Sequence, residues 1–193
     1  MNLVRLLLAL LAAVTLAITA SALQENATTG PYSVSFDMNA TLNYTVESFD
    51  PVEEDDRTEY QLTINTNDST KAKIFIAEYK DLVDSTEEMW QTVNRQHLES
   101  IGLKNITLAS EMVIDGMPAF GLVGKDIANT TLYSAYYWLD SNDCECGPVS
   151  VGKTVVAIMS VLPLNTTGQF MDTLHIEKNT EASGPLTFAP PKA

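Results

Sequence analysis

The only two cysteines of the 193-residue chain stand one residue apart, as Cys144-Glu145-Cys146. A bond across a single residue closes a small, strained ring, and strained disulfides are the more easily reduced. Three readings compete: a local staple of the loop, a redox couple, or half of a metal site, with free thiols as the remaining case. Zinc would need two further ligands, and neither His97 nor His175 is near in sequence. Export favours oxidation, so the staple is the expectation. His97 falls on the apolar arc of a predicted helix, and His175 near the end of another. A lone histidine on an apolar face is more often a hydrogen-bonded core residue than a ligand, and no HExxH-type spacing joins the two. Two acidic loops, Asp50/Glu53/Glu54/Asp55/Asp56 and Asp140/Asn142/Asp143/Glu145, carry oxygen ligands but not the EF-hand order, and read as solvated loops. Gly147-Pro-Val-Ser150-Val-Gly152 is one residue too long for G-x-S-x-G. The sequence therefore nominates no catalytic residues, no metal site and no cofactor, and the expectation is a protein that is not an enzyme.

The N-terminus supplies a compartment. Arg5 closes a short basic region, Leu6 to Ile18 is an uncharged apolar run, and Ala20-Ser21-Ala22 is an A-x-A cleavage site. This is a secretory signal peptide over residues 1–22. The competing reading is an uncleaved anchor, for which the run is short. No other stretch is apolar enough to span a bilayer after cleavage. Removing 22 residues leaves 171, enough for one domain with a real core. Arg5 leaves with the signal, so 10 basic residues face 25 acidic ones, a net charge of −15. Such acidity argues against nucleic acid and anionic lipid surfaces as partners. Asn-x-Ser/Thr sequons stand at Asn26, Asn39, Asn43, Asn67, Asn105, Asn129 and Asn165. Chance predicts about two, and every one falls in a predicted loop or on an outward strand position. They are read as N-glycosylation sites, against a bare Asn- and Thr-rich β surface.

Around these residues the chain is organised on the stretch from Asp84 to Val123. Ser85 with Glu88 has capping-box spacing. Met89, Trp90, Val93, His97 and Ile101 fall on one helical arc, and Gly102 supplies the C-cap. Ile106, Leu108, Met112 and Ile114 then alternate as a strand, Asp115-Gly116 signals a hairpin, and Met117 to Val123 returns. Before the helix, strands are predicted at Tyr32–Met38, Thr41–Ser48, Thr58–Asn65 and Lys71–Tyr79. After it come Thr131–Leu139, Lys153–Leu162 and a second helix from Thr166 or Thr167 through Ile176. The domain spans residues 31–177, with a mobile tail at 23–30 and a disordered one at 178–193. The expected fold is α+β, a mainly antiparallel twisted sheet of seven or eight strands packed against two helices.

This order, with Ile114-Asp115-Gly116-Met117-Pro118-Ala119 between strands and Phe170-Met171-Asp172-Thr173-Leu174-His175-Ile176 near the end, resembles the PsbP-like, or DcrB-like, α/β/α sandwich. The resemblance implies an extracytoplasmic or accessory protein that acts by binding, with no shared catalytic set to carry over. The Cys144–Cys146 loop and the many sequons depart from it. The expected function is a secreted or surface-displayed binding or accessory domain whose partner is an unidentified protein or envelope component. The alternatives are a thiol redox protein and an outward-facing subunit of a membrane complex. Tyr133, Tyr136, Tyr137 and Trp138 form a candidate binding surface, although aromatic residues at this spacing are also ordinary sheet core.

Two outcomes follow. The intact mass of the natively secreted protein should exceed that of the bare mature chain and fall on enzymatic deglycosylation; a mass equal to the bare chain refutes glycosylation. Cys144 and Cys146 should resist alkylation until a reductant is added.

Overall fold

In β2 (Tyr32–Asn39), Tyr32, Val34, Phe36 and Met38 are buried and the residues between them are half-exposed. This period-two burial fixes where the layers meet. The computed structural model describes residues 22–39, 41–67, 69–109, 112–140 and 149–179. β2 is the middle of a three-stranded sheet, between β1 (Ala22–Thr29) and β12 (His175–Lys178). The remaining strands form one large sheet. They are β3 (Tyr44–Ser48), β4 (Val52–Glu53), β5 (Arg57–Thr66), β6 (Ser69–Thr86), β7 (Lys104–Leu108), β8 (Met112–Ile114), β9 (Met117–Lys125), β10 (Thr131–Trp138) and β11 (Val149–Ser160). Its order is β3-β5-β6-β11-β10-β9-β7, with β4 on β5 and β8 on β9, and the pairs are antiparallel. The expected α+β class and mainly antiparallel pairing are present, but the described strands form two sheets, of three and nine strands, and not the expected single sheet of seven or eight.

The inner face of the large sheet packs on the small sheet. Leu62, Ile64, Ile74, Ile76, Val156 and Ile158 meet the buried side chains of β2. Helix α2 (Leu164–Asp172) closes the same core with Phe170 and Met171, and the Phe170 ring stands edge-on to Phe36 at 5.0 Å. Helix α1 (Glu87–Ser100) lies on the opposite, outer face, where Leu98 packs with Leu103 and Leu122. β11, the most apolar stretch of the mature sequence, sits mid-sheet as its composition requires.

Several expectations are corrected. The stretch 23–30, expected as a tail, is mostly β1, paired with β2 along its whole length. Its side chains are mostly polar because its outward face is exposed. β6 runs on to Thr86, so Ser85 belongs to the strand and Thr86 caps α1, its hydroxyl accepting from the Met89 N–H at 3.1 Å. The predicted dry arc of α1 is not the buried one. Met89, Val93 and Ile101 are 43%, 52% and 51% exposed, while Asn94 and Leu98 are buried. The second helix stops at Asp172, and residues 175–178 form β12. Of the expected C-terminal tail, Lys178 is in β12 and the Asn179 N–H bonds the Pro31 carbonyl at 2.7 Å; residues 180–193 lie outside the described residues.

The Asp115-Gly116 hairpin forms as expected, both residues at positive φ (56° and 75°). Its aspartate does more than turn the chain. One oxygen lies 2.7 Å from His175 Nδ1 and the other accepts the Ile176 N–H at 2.9 Å. The turn thereby holds β12, whose Ile176 is in the core. Asp115 is nearly buried and His175 largely exposed, so the two ends of this contact differ in weight. Asp115→Ala should cost about 2–4 kcal/mol in urea unfolding, from two lost bonds to a charged acceptor. His175→Ala should cost under about 1 kcal/mol. Equal losses would contradict this account.

Candidate functional site

The outer face of the large sheet is only half covered. On β6, Lys71, Lys73, Phe75, Ala77 and Tyr79 alternate with the core residues and point outward, beside Ala157 and Met159 of β11. Helix α1 is held away from this half. Trp90 stacks on Tyr136 at 6.4 Å and meets Trp138 edge-on at 5.6 Å. The Trp138 indole N–H donates to Ser85 Oγ at 2.9 Å, and Arg95 Nη1 donates to the Ile106 carbonyl at 2.8 Å. Gly152 makes room for this arrangement, since a Cβ there would strike the Trp138 ring. The Asp140 carboxylate accepts the Thr154 and Lys153 N–H groups at 2.8 and 3.1 Å and fixes the adjoining bulge of β11.

Between α1 and the uncovered strands runs a groove. One segment, of about 430 Å³, lies beside Trp90, Val93 and Asn94. The other, of about 420 Å³, lies beside Ile101, Leu132 and Lys71. Phe75, His97 and Met159 line both, so the segments adjoin. Volumes of this size are typical of small-molecule sites. The floor is apolar. Polar groups stand at the Trp90 end. Asn94 is 6% exposed and its side chain makes no hydrogen bond among the described residues. Among the described residues the Trp90 indole N–H and the Tyr136 hydroxyl are buried without a partner, and burial pushes the Tyr136 phenol up to about 12. Unpaired buried polar atoms are uncommon, and the Tyr137 hydroxyl in the inner core is a third among the described residues.

The sequence candidates fare unevenly. Tyr136, Tyr137 and Trp138 are 6%, 3% and 4% exposed and Tyr133 is half-buried, so the four do not form an exposed aromatic surface. Tyr133 and Tyr137 pack into the inner core, and burial, with the Asp115 charge, pushes the Tyr137 phenol up. Tyr136 and Trp138 instead seat α1. Cys144 and Cys146 lie outside the described residues. Six sequon asparagines, Asn26, Asn43, Asn67, Asn105, Asn129 and Asn165, are exposed, and Asn39 is half-buried. His97 is exposed on the groove wall, not in a dry core, and His175 is on β12 in the other layer, so the two histidines do not converge. Asp56 pairs with Arg57 at 3.2 Å, and Asp140 is taken up by backbone N–H groups. Among the described residues no group of three acidic, His or Cys side chains could hold a metal ion.

Asp115 orients His175 as in a hydrolase dyad, and Ser35 stands opposite His175 across the ladder. Among the described residues no hydrogen bond joins that pair. β2 is paired on both sides, so its N–H groups there are committed to the sheet and supply no oxyanion donors. The sequence does not show the groove, because alternation in β6 says which residues face outward and not what covers them. A partial signal was available: a helix carrying Met89, Val93 and Ile101 beside a strand apolar on both faces leaves more apolar surface than one contact covers.

No helix among the described residues is long and apolar enough to cross a membrane. No known family's model matches the chain, and no characterised protein or solved structure is significantly similar to it.

Proposed function

We propose that the protein is a secreted or cell-surface, N-glycosylated, non-catalytic binding or accessory domain, and that its working surface is the groove between α1 and the outer face of β6 and β11. The observation that carries this reading is the incomplete cover of that face. Phe75 and Met159 are only half-buried, and the α1 residues beside them, Val93 and Ile101, are about half-exposed. Contiguous exposed apolar surface of this kind marks sites of contact.

Two further features support it. No sequon asparagine lines the groove. The signal peptide accounts for the export that those sequons need. The PsbP-like assignment belongs to the same proposal. It is supported by the Ile114–Ala119 hairpin and by a last helix that packs against the sheet core, and it favours action by binding.

A neutral solvatochromic dye tests the groove directly. Nile red emission should rise and shift to the blue on titration with the folded protein. Met159→Glu should weaken that binding by about tenfold or more, the loss expected from about 1.4 kcal/mol. Leu164→Glu, on the exposed start of α2, should leave it unchanged. No uptake of dye by the folded protein would overturn the assignment of the groove.

A further inference from the structure

We infer that the groove takes a single-chain amphiphile with one anionic head group, its carboxylate held by Lys71 and Lys73 and its alkyl chain lying along Phe75 and Met159 toward Trp90. This rests on the reading of the groove as the binding surface, and it names the ligand class.

Charge is the first argument. The chain has 25 acidic residues against 11 basic ones, yet the Ile101 end of the groove is lined by Lys71 and Lys73 and by no acidic residue. Some cations elsewhere have partners, charged or neutral. Arg57 pairs with Glu59 at 2.7 Å, Lys80 donates to the Asp55 carbonyl at 2.7 Å, and Lys178 pairs with Glu78. Among the described residues neither the Lys71 nor the Lys73 side chain makes an ion pair or hydrogen bond; the Lys73 ammonium only lies over the Phe75 ring at 5.8 Å. In a strongly acidic protein, two unmatched ammonium groups at the mouth of an apolar trough form a local site for an anion.

Shape and hydrogen bonding then choose among anions. The trough follows α1 from Trp90 to Ile101, about 16 Å at the helical rise per residue. β6 lies between β5 and β11, and β11 between β6 and β10. Their backbone groups are therefore spent on the ladders, and the floor offers none to an incoming chain. A peptide lying there would leave its amides unpaired on that side, at a cost an alkyl chain does not incur. A second copy of this chain would bring its own large negative charge to the same face. An alkyl carboxylate meets neither objection.

Dansyl-undecanoic acid and its methyl ester are the probes, titrated against the full mature protein and followed by energy transfer from tryptophan. The acid should bind at least tenfold more tightly than the ester. Lys71→Gln combined with Lys73→Gln should abolish that preference and leave ester binding intact, while Met159→Glu should weaken both. Circular dichroism and retained Nile red binding establish that the lysine variant is folded. Equal affinity for acid and ester overturns the assignment of an anion, with the groove itself untouched. Failure of both probes where Nile red still binds overturns the alkyl ligand and leaves a peptide or second copy as the occupant. Failure of all three dyes removes the groove reading beneath the inference.

Discussion

A β-strand presents successive side chains to opposite sides, and the eighteen residues of β6 impose that rule on the whole molecule. Ala72, Ile74 and Ile76 face one way and are sealed beneath the small sheet. Phe75 and Ala77 necessarily face the other way, and with Met159 and Ala157 they make a second apolar surface. The chain provides a full layer for the first surface and a single fourteen-residue helix for the second. Such a helix covers a strip about 10 Å wide, narrower than four strands spaced roughly 5 Å apart. The groove follows from this shortage of cover.

The position of the helix is set by aromatic packing. Trp90, Tyr136 and Trp138 form the contact that draws α1 over β10, and Leu98 with Leu122 fixes its far end over β9. Tyr136 and Trp138 thus serve function indirectly: they decide which side of the sheet is covered and which is left open. Loss of the Trp138–Ser85 hydrogen bond would bear first on the junction between β6 and α1.

Where alternation was strict, the structure was legible in the residues. Tyr32 to Met38, Tyr60 to Ile64 and the Asp115-Gly116 turn form as their pattern dictates. The misreadings have different causes. β1 carries little apolar alternation, and its order comes from ladder bonds to β2. His175 and Ile176 continue a helical pattern, but Asp115, sixty residues earlier, captures them as strand. In α1 the expected dry arc of Met89, Trp90, Val93, His97 and Ile101 holds only at Trp90; Asn94 and Leu98 complete the seated face, disguised by a polar residue at its centre. For the site, the lysines on β6 were visible, but their lack of an acidic neighbour is a property of the folded surface.

The three-stranded sheet has a mechanical side. β1 and β12 both run antiparallel to β2 and so run parallel to each other. The chain enters this sheet beside Asn39 and leaves it beside Tyr32, at the opposite end. Tension between the two ends of the domain would act along the strand axes, loading the hydrogen bonds of both ladders together in shear. A domain so threaded resists stretching far better than one whose ladders open bond by bond, and its outer groove would keep its shape while the flanking chain is pulled.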